Sequence, residues 1–307
     1  MGLRLQREEV VWAYRILLGR EPESEQVIDE HRSAWPDRAA LIAGMRQSQE
    51  YRRAHNLTRN WVVTPVFGER RLMWVNLLDD YVSHGCLVDE WEPLETEVVR
   101  ELLSPGDTFV DIGANIGWFT LLASTIVGES GRIHAFEPRP DSSAYLRKSI
   151  ALNGLERMVD LHQAGVWSEP GHLTLWNRGE DNPGGTHLLP VGQDAPGGID
   201  VPIMTIDSLA LPACDVIKID VEGAEPHAIR GARDTISKYR PTIVSEINPN
   251  QLRAVSGVTP AEYLELMASL GYDTFFLEEH REGRPVDVQS DRLNDPLTAV
   301  LFRPRSK

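Results

Sequence analysis

The most regular hydrophobic pattern in the chain runs through its C-terminal two thirds, where short apolar runs alternate with longer amphipathic segments. Short apolar runs are typical of buried strands, and apolar positions repeating every three or four residues are typical of helices. The pattern predicts strands 108–112, 132–137, 159–166, 214–220 and 241–247, helices 117–127, 141–153, 224–239 and 260–270, and a final antiparallel pair, 274–277 and 298–302. This alternation predicts an α/β fold: a doubly wound, mostly parallel sheet with an antiparallel C-terminal strand.

The segment 171–207 interrupts that alternation. It holds two apolar runs, 173–176 and 201–206, separated by a loop rich in Gly, Pro and Asn at 178–185. A long insertion of this kind commonly carries function. We interpret it as an inserted hairpin whose loops overhang the site.

The N-terminal third predicts two smaller parts. A helical stripe over 7–18 ends at Gly19, and a second helix over 37–54 has Asp37 as its N-cap, which together predict a helical hairpin within residues 1–58. Residues 59–104 combine two β-like runs, 61–64 and 72–75, with a helix over 94–103, and we interpret them as a lead-in hairpin and cap. The large α/β domain is then residues 105–307.

Composition excludes several function classes. The net charge is -15, from 31 Lys and Arg against 46 Asp and Glu, so most of the surface repels a nucleic acid. The two cysteines, Cys86 and Cys214, form no CxxC pair and suggest neither a disulfide framework nor a zinc site. No apolar run approaches the ~20 residues needed to span a membrane. We therefore expect a cytoplasmic protein.

A glycine turn follows the strand at 108–112. In the run from Asp111 to Gly117, the glycines at 113 and 117 let the backbone turn tightly, and the helix behind them offers N–H groups to an anion. About twenty residues on, Glu137 and Pro138 end the next strand, where a carboxylate can bind ribose hydroxyls. For S-adenosylmethionine (SAM) the anion is the methionine carboxylate, and Asp111 is the candidate partner of its ammonium.

A nicotinamide dinucleotide is the competing ligand for such a turn. Its usual motif is Gly-x-Gly-x-x-Gly, which lets the backbone approach the pyrophosphate. Here Asn115 stands at the middle position, and no third glycine follows at the matching spacing. The sequence therefore favours SAM.

A second group of ionisable residues follows the strand predicted at 214–220. Strand alternation predicts Lys218, Asp220 and Glu222 on one side, at the carboxyl end of a central strand where ligands bind in such sheets. Lys218 and Asp220 could instead form a structural ion pair. Glu225 begins the next predicted helix, where its charge suits the helix dipole.

These signals together resemble the FkbM-type methyltransferases, a group within the Rossmann-like SAM-dependent enzymes. The resemblance covers residues 90–250. It rests on Pro105-Gly-Asp, the 111–117 turn, Phe136-Glu-Pro, Thr205-Ile-Asp, the run from Ile217 to Glu225, Arg230-Gly-Ala, Arg240-Pro and Glu246, in that order. The chain departs from the family in its N-terminal helical segment and in Trp118, where Tyr or Phe is frequent.

The resemblance implies a methyl transfer from SAM to a hydroxyl group of a sugar, glycan or natural product. The residues expected to bind SAM are Asp111, Gly113, Ala114, Asn115, Gly117, Trp118, Glu137, Pro138 and Gly165. An alcohol needs a general base to lose its proton at neutral pH, and the expected catalytic residues are His187, Asp220, Glu222 and Lys218. His187 has an ordinary pKa suited to a base.

Three points stay open at this stage. Asp207, Asp220, Glu222 and Glu246 could supply oxygen ligands to Mg²⁺, so a divalent metal is not expected but remains an alternative. The alternative functions are a nicotinamide-dependent oxidoreductase or epimerase and a non-catalytic interaction protein. The acceptor and the oligomeric state are not readable from the sequence.

Overall fold

The computed structural model describes residues 5–48, 50–51, 60–79, 81–177, 186–189, 192–193 and 195–305. The chain divides into two compact units, Met1–Val62 and Val63–Lys307. The boundary predicted at residue 58 lies outside the described residues, and so does the predicted loop 178–185.

In the described residues of the N-terminal unit, a helix that the pattern does not predict lies between the two predicted ones. Helix α1, Arg7–Ala13, continues into a π-helical turn, Tyr14–Leu18, that ends at left-handed Gly19, and α3, Arg38–Gln47, begins at Asp37, whose side chain accepts the Ala40 N–H. The missed helix is α2, Glu25–Ala34, capped by Ser24. Of its side chains only Ile28 is buried, which leaves too few apolar positions to reveal a helical period. Leu5, Val10, Leu17, Leu41 and Met45 complete the small core around Ile28.

The lead-in segment forms the predicted hairpin and helix. Strands β1, Trp61–Val66, and β2, Arg71–Asn76, pair with each other, and α4, Val82–Leu87, and α5, Pro93–Leu102, follow. The second strand is tied to the long helix α7, Pro140–Leu152, because the Trp74 N–H donates to Ser149 Oγ at 3.0 Å. Residues 71–76 therefore pack on the face of the main α/β layer.

A seven-stranded sheet confirms the predicted fold class. Its strands are β3 Thr108–Ile112, β4 Arg132–Phe136, β5 Val159–His162, β10 Val216–Ile219, β11 Thr242–Ile247, β12 Tyr272–Phe276 and β13 Thr298–Pro304. They lie in the order β12-β13-β11-β10-β3-β4-β5. Strand β13 is antiparallel to β11 and β12, and the other neighbouring strands are parallel. The strand order reverses between β3 and β10, and such a reversal opens a ligand crevice at the carboxyl ends of the two strands.

Helices cover both faces of the sheet. After α7 they are α8 Glu225–Gly231, α9 Arg233–Tyr239, α10 Pro249–Gln251 and α11 Pro260–Ser269, and α6, Trp118–Ser124, follows the glycine turn. The single helix predicted at 224–239 is wrong, because the backbone leaves helical geometry at Ala232. Gly231 packs so tightly on the Trp167 carbonyl that a side chain there would overlap it, and this contact accompanies the break.

The predicted strand 159–166 is two strands in two different sheets. After β5 the chain turns, and β6, Gly165–Val166, joins a four-stranded sheet of order β6-β9-β7-β8. The other members are β7 Gly171–Asn177, β8 Thr186–Leu188 and β9 Ile199–Met204, so the predicted inserted hairpin is most of a small sheet. A Cβ on Gly165 would lie 2.7 Å from Leu188 Cδ1, so a larger residue there would require the Leu188 side chain to shift.

No helix in the described part of the chain combines the length and the apolarity needed to cross a membrane.

Candidate active site

The glycine turn lies at the crevice between β3 and β10. Gly113, Asn115 and Gly117 all have positive φ, at 88°, 48° and 103°. The N–H groups of Gly113 and Ala114 both donate to the Phe136 carbonyl, at 3.0 and 2.9 Å, so the turn is tied to the end of the neighbouring strand. A Cβ on Gly113 would overlap the carbonyl oxygen of Asp220, which explains why glycine stands there.

Glu137 connects two loops at the end of β4. Its Oε2 accepts the Asn115 N–H and its Oε1 accepts the Arg139 N–H, both at 2.8 Å. The carboxyl group is buried, and burial raises its pKa to about 7 against the opposing effect of these two bonds. Because each carboxylate oxygen can accept more than one hydrogen bond, both retain capacity for a ligand's hydroxyl groups.

A first cavity, of about 70 Å³, opens beside Glu137. Its walls come from the glycine turn, the start of α7, strands β6 to β8 and the residues after β10. The predicted site residues that line it are Gly113, Asn115, Glu137, Pro138, Gly165, His187, Asp220 and Glu222.

A second and larger cavity, of about 610 Å³, adjoins the first. Tyr81, Trp91 and Glu92 of the lead-in segment line it, together with residues from the turn and from the ends of β10 and β11. The two cavities share four residues, Gly113, Asn115, Asp220 and Glu222. Groups bound in the two cavities would therefore meet at Asp220 and Glu222.

Lys218 lies between the carboxylates of the second cavity. Its side chain is 3% exposed, and its Nζ lies 3.2 Å from Asp220 Oδ2, 3.4 Å from Glu92 Oε2 and 4.3 Å from the centre of the Phe119 ring. Burial by itself lowers the pKa of Lys218, but Asp220, Glu92 and Glu246 outweigh burial and raise that pKa above its ordinary value. Lys218 therefore stays an ammonium ion.

Glu92 is the site residue that the sequence reasoning missed. It precedes α5 in left-handed geometry, with φ of 41°, and burial raises its pKa to about 7 although Lys218 opposes the shift. Burial and Asp220 raise the pKa of Glu246 to about 10. In the sequence, Pro93 indicates that a helix starts after Glu92, but it does not indicate that Glu92 contacts Lys218.

The turn after β10 corrects the predicted alternation of side chains. The strand ends at Ile219, and Glu222 and Gly223 have positive φ, at 55° and 98°, so period-two alternation does not extend to Glu222. Glu225 Oε1 accepts the N–H groups of Val221 and Gly223 at 3.2 and 3.1 Å, which holds this turn. Burial, and after it the charge of Asp220, raises the pKa of Glu222 to about 7.

The carboxylates proposed as metal ligands are not all brought together. Glu92, Asp220 and Glu246 can each place an oxygen within 4.8 Å of the others, whereas Asp207 accepts the N–H groups of Asp234 and Thr235 at the start of α9. Asp207 thus holds the start of α9 and does not belong to the group of three carboxylates. Lys218 supplies a positive charge at the group that remains.

The family model of the methyltransferase FkbM domain matches residues 111–274, which is more than half of the chain. The chain belongs to the FkbM methyltransferase family. The matched segment contains the glycine turn, Glu137, and Lys218, Asp220 and Glu222. The prediction of a SAM-dependent FkbM-type methyltransferase is confirmed at the level of family.

Several known proteins are similar to this FkbM chain. A hexuronic acid methyltransferase, AglP of Haloferax volcanii, is 26% identical over 198 residues, which are 61% of this chain and 74% of that protein. Methyltransferase 1 of Beauveria bassiana is 29% identical over 156 residues, 42% of this chain. The solved methyltransferase FkbM from Methylobacillus flagellatus KT has 18% identity and a TM-score of 0.41 over 72% of this chain. The matched parts span 60% of the Beauveria protein and 52% of the Methylobacillus chain.

Four of the residues expected to bind SAM in this FkbM chain lie away from the first cavity. Ala114, Gly117 and Trp118 line the second cavity instead, and the Trp118 indole donates to Thr96 Oγ1 at 2.8 Å. Asp111 lines neither cavity, because its buried carboxylate accepts the Thr120 hydroxyl on α6. Burial raises the pKa of Asp111 to about 6. The expected contact of Asp111 with a ligand ammonium has no counterpart in this arrangement.

The four expected catalytic residues are divided between the cavities. Asp220 and Glu222 line both, Lys218 lines the second, and His187 lines the first. His187 lies on β8 with its ring edge-on to Trp176, at a centroid distance of 5.8 Å. Asp220 and Glu222 therefore lie at the junction of the two cavities, whereas His187 borders the first cavity alone.

Proposed function

We propose that this protein is an O-methyltransferase that binds SAM in the first cavity and a hydroxyl-bearing acceptor, of the sugar or natural-product type, in the second. The observation that carries the proposal is that the two cavities meet at Gly113, Asn115, Asp220 and Glu222. The Haloferax relative is a hexuronic acid methyltransferase, which supports a sugar-like acceptor for this protein.

The residues of the first cavity fit a nucleoside. The Glu137 carboxylate is buried, is oriented by two backbone N–H groups and retains acceptor capacity, as a partner of ribose hydroxyls must. Gly113 and Gly165 also line this cavity, and their lack of a side chain lets the backbone lie close to a ligand. Pro138 and Asn115 border the same space. Bound SAM supplies an electrophilic methyl group.

The first cavity must widen to admit this ligand. Ligand pockets commonly have volumes of about 300–1,000 Å³, and the first cavity has about 70 Å³. Among the described residues, strand β8 is the edge strand of its sheet and pairs with β7 over three residues, so few backbone contacts hold this wall. We infer that His187 and Leu188 move outward with β8 when the cofactor enters.

Glu222 is the proposed general base. A base works best when its pKa is near the working pH, and burial together with Asp220 raises the pKa of Glu222 to about 7. Asp220 has a different part, because its Oδ2 is paired with the buried Lys218 ammonium at 3.2 Å. Glu222 thus takes the acceptor proton, and His187 borders the cofactor.

Metal is not required in this proposal. The Lys218 ammonium already lies within ion-pair distance of two of the three carboxylates that could hold a divalent ion. Methyl transfer that continues undiminished in EDTA supports this part of the proposal, and loss of transfer restored by Mg²⁺ contradicts it.

The first experiment is isothermal titration of the full chain with S-adenosylhomocysteine (SAH), with NAD titrated in parallel. Micromolar binding of SAH, absent for NAD and abolished in Glu137→Ala, supports the proposed function. Binding of NAD alone favours an oxidoreductase or epimerase. If a folded protein binds neither, a non-catalytic interaction protein becomes the better hypothesis. SAH release from SAM in the presence of candidate acceptors then identifies the acceptor hydroxyl.

A further inference from the structure

The second cavity has an unbalanced charge. Among the described residues that line it there are five carboxylates and a single cationic side chain, Lys218. The carboxylates are Glu92, Glu95, Asp220, Glu222 and Glu246. An anionic molecule entering this cavity would be repelled, since charges interact more strongly where water is partly excluded.

Lys218 does not satisfy these carboxylates. Its Nζ lies within ion-pair distance of Asp220 and Glu92, yet Glu92 Oε2 is a buried atom without a hydrogen-bond partner among the described residues. The Lys218 ammonium, 3.4 Å away, is the charge that this oxygen faces, so the oxygen keeps capacity for a further donor, which a ligand can supply. Burial first, and the charge of Asp220 in addition, raises the pKa values of Glu92, Glu222 and Glu246.

Aromatic side chains form another part of the cavity wall. Trp91 and Trp118 line its interior, and Tyr81 and Leu297, which are 54% and 60% exposed, lie at its mouth. Aromatic faces attract cations and pack well against apolar surfaces. A cavity of about 610 Å³ with aromatic walls and several carboxylates has room for at least one ring bearing hydroxyl groups and an amine.

We propose that the acceptor is a cationic polyhydroxylated molecule, an aminated sugar or a similar amine-bearing polyol, whose ammonium group is bound by the carboxylates of the second cavity. This inference rests on the proposed function and narrows its acceptor class. The charge of the proposed acceptor differs from that of the acceptor of the Haloferax relative, because a hexuronic acid is an anionic sugar. Glu92 and Glu95 are the residues that distinguish a positive from a negative acceptor.

The test is a comparison of three matched probes, glucosamine, glucose and glucuronic acid, bound to the SAH-saturated full-length protein and followed by ligand-observed NMR titration. We expect glucosamine to bind about tenfold more tightly than glucose, and glucuronic acid more weakly than glucose, because each probe differs mainly in charge. Equal affinities, or tighter binding of glucuronic acid, overturn the inference. Failure of glucosamine to bind overturns it as well.

A charge reversal locates the effect in the second cavity. Glu95→Lys should weaken glucosamine binding about tenfold or more and strengthen binding of glucuronic acid, while Glu95→Gln should have a smaller effect in the same direction. Glu156→Lys makes the same change of net charge at an exposed position outside both cavities, and it should alter neither affinity. Equal effects of Glu95→Lys and Glu156→Lys contradict the inference.

The SAH titration separates the two levels of the proposal. If SAH does not bind the folded wild-type protein, the proposed function fails whatever the probes show. If SAH binds and glucosamine has no advantage, the methyltransferase proposal stands and only the cationic acceptor is rejected.

Discussion

Gly113 and Asp220 lie so close together that a Cβ added to Gly113 would overlap the carbonyl oxygen of Asp220. The contact follows from the parallel register of β3 and β10, which pairs Ile112 with Ile219 and so brings the residues after both strands side by side. The Asp220 N–H donates to the Ile112 carbonyl at 3.0 Å and continues the pairing by one residue. The glycine turn and the acidic turn are thus one rigid unit.

Gly113→Ala should therefore disrupt this unit. The new side chain has to adopt φ near 88° and also displace backbone, so we expect a loss of about 2–4 kcal/mol in the free energy of unfolding, together with loss of SAH binding. Urea unfolding and isothermal titration measure the two effects.

Gly128→Ala is the matched control for that substitution. Gly128 also has positive φ, at 65°, but no heavy atom lies within 4 Å of a Cβ built there. Gly128→Ala should lower the free energy of unfolding by about 1 kcal/mol, because alanine disfavours positive φ, and should leave SAH binding unchanged. If the two alanine variants were equally destabilised, the close approach of Gly113 to Asp220 would not explain the destabilisation of Gly113→Ala.

Glu137→Gln should weaken SAH binding about tenfold or more, since hydrogen bonds to a charged group contribute roughly 1.5–3 kcal/mol. A glutamine amide has one acceptor oxygen, so its nitrogen would face the N–H of either Asn115 or Arg139. Glu129→Gln, at an exposed position, is the control and should leave the dissociation constant unchanged. Wild-type affinity in Glu137→Gln would exclude Glu137 as the ribose partner.

A site residue could be predicted from the sequence where its position is set by neighbouring residues, and not where it is set by a contact distant in the sequence. Gly113, Gly117 and Glu137 were recognisable because turn geometry and the ends of adjacent strands fix their places over a short stretch of chain. Glu92 was not, because it reaches Lys218 from the lead-in segment, and nothing local to Trp91-Glu92-Pro93 indicates that contact. The fold class followed from periodicity, whereas the separation of β5 from β6 did not, because Gly165 pairs with Ile203 on β9, which is distant in the sequence.

Lys218→Met should lower the free energy of unfolding by roughly 3–5 kcal/mol, because removing one partner of a buried ion pair leaves the others uncompensated. The double variant Lys218→Met/Glu92→Gln should recover part of that loss, since it removes one of the unpaired charges. Lys238→Met, on the exposed side of α9, should change stability little. Urea midpoints at pH 7 compare all three. A single variant as stable as wild type would contradict a structural role for the ammonium.

The rate of methyl transfer should depend on the ionisation of Glu222. As a base Glu222 must be deprotonated, and its pKa of about 7 means that kcat should fall about tenfold for each pH unit below 7. Glu222→Gln should remove most of the activity together with this acid limb, measured as SAH release with the acceptor found by screening. An acid limb that persists in Glu222→Gln and disappears in His187→Ala would assign the base to His187.

His227 should make the fold sensitive to acid. Its ring stacks on Trp167 at 3.7 Å, and burial, with a smaller effect of Arg230, lowers its pKa to about 4. The unfolded chain takes up a proton at this residue near pH 6.5 while the folded chain does not, so its stabilising contribution is complete above pH 6.5 and decreases as the pH falls towards 4. Because solvent screens this half-buried ring, the decrease between pH 7 and 5 should be smaller than for a fully buried histidine.

The buried glutamates act in the opposite direction. A carboxyl group whose pKa is raised on folding, such as Glu137 or Glu225, binds a proton more readily in the folded chain and stabilises it as the pH falls below about 7. The effect of His227 is therefore measured as a difference between variants. His227→Phe keeps an aromatic ring on Trp167 without a titrating nitrogen, and its urea midpoint should fall less than that of wild type between pH 7 and 5. His84→Phe, at an exposed position on α4, should follow wild type, and parallel pH profiles of His227→Phe and wild type would show that the ring stacked on Trp167 does not govern acid stability.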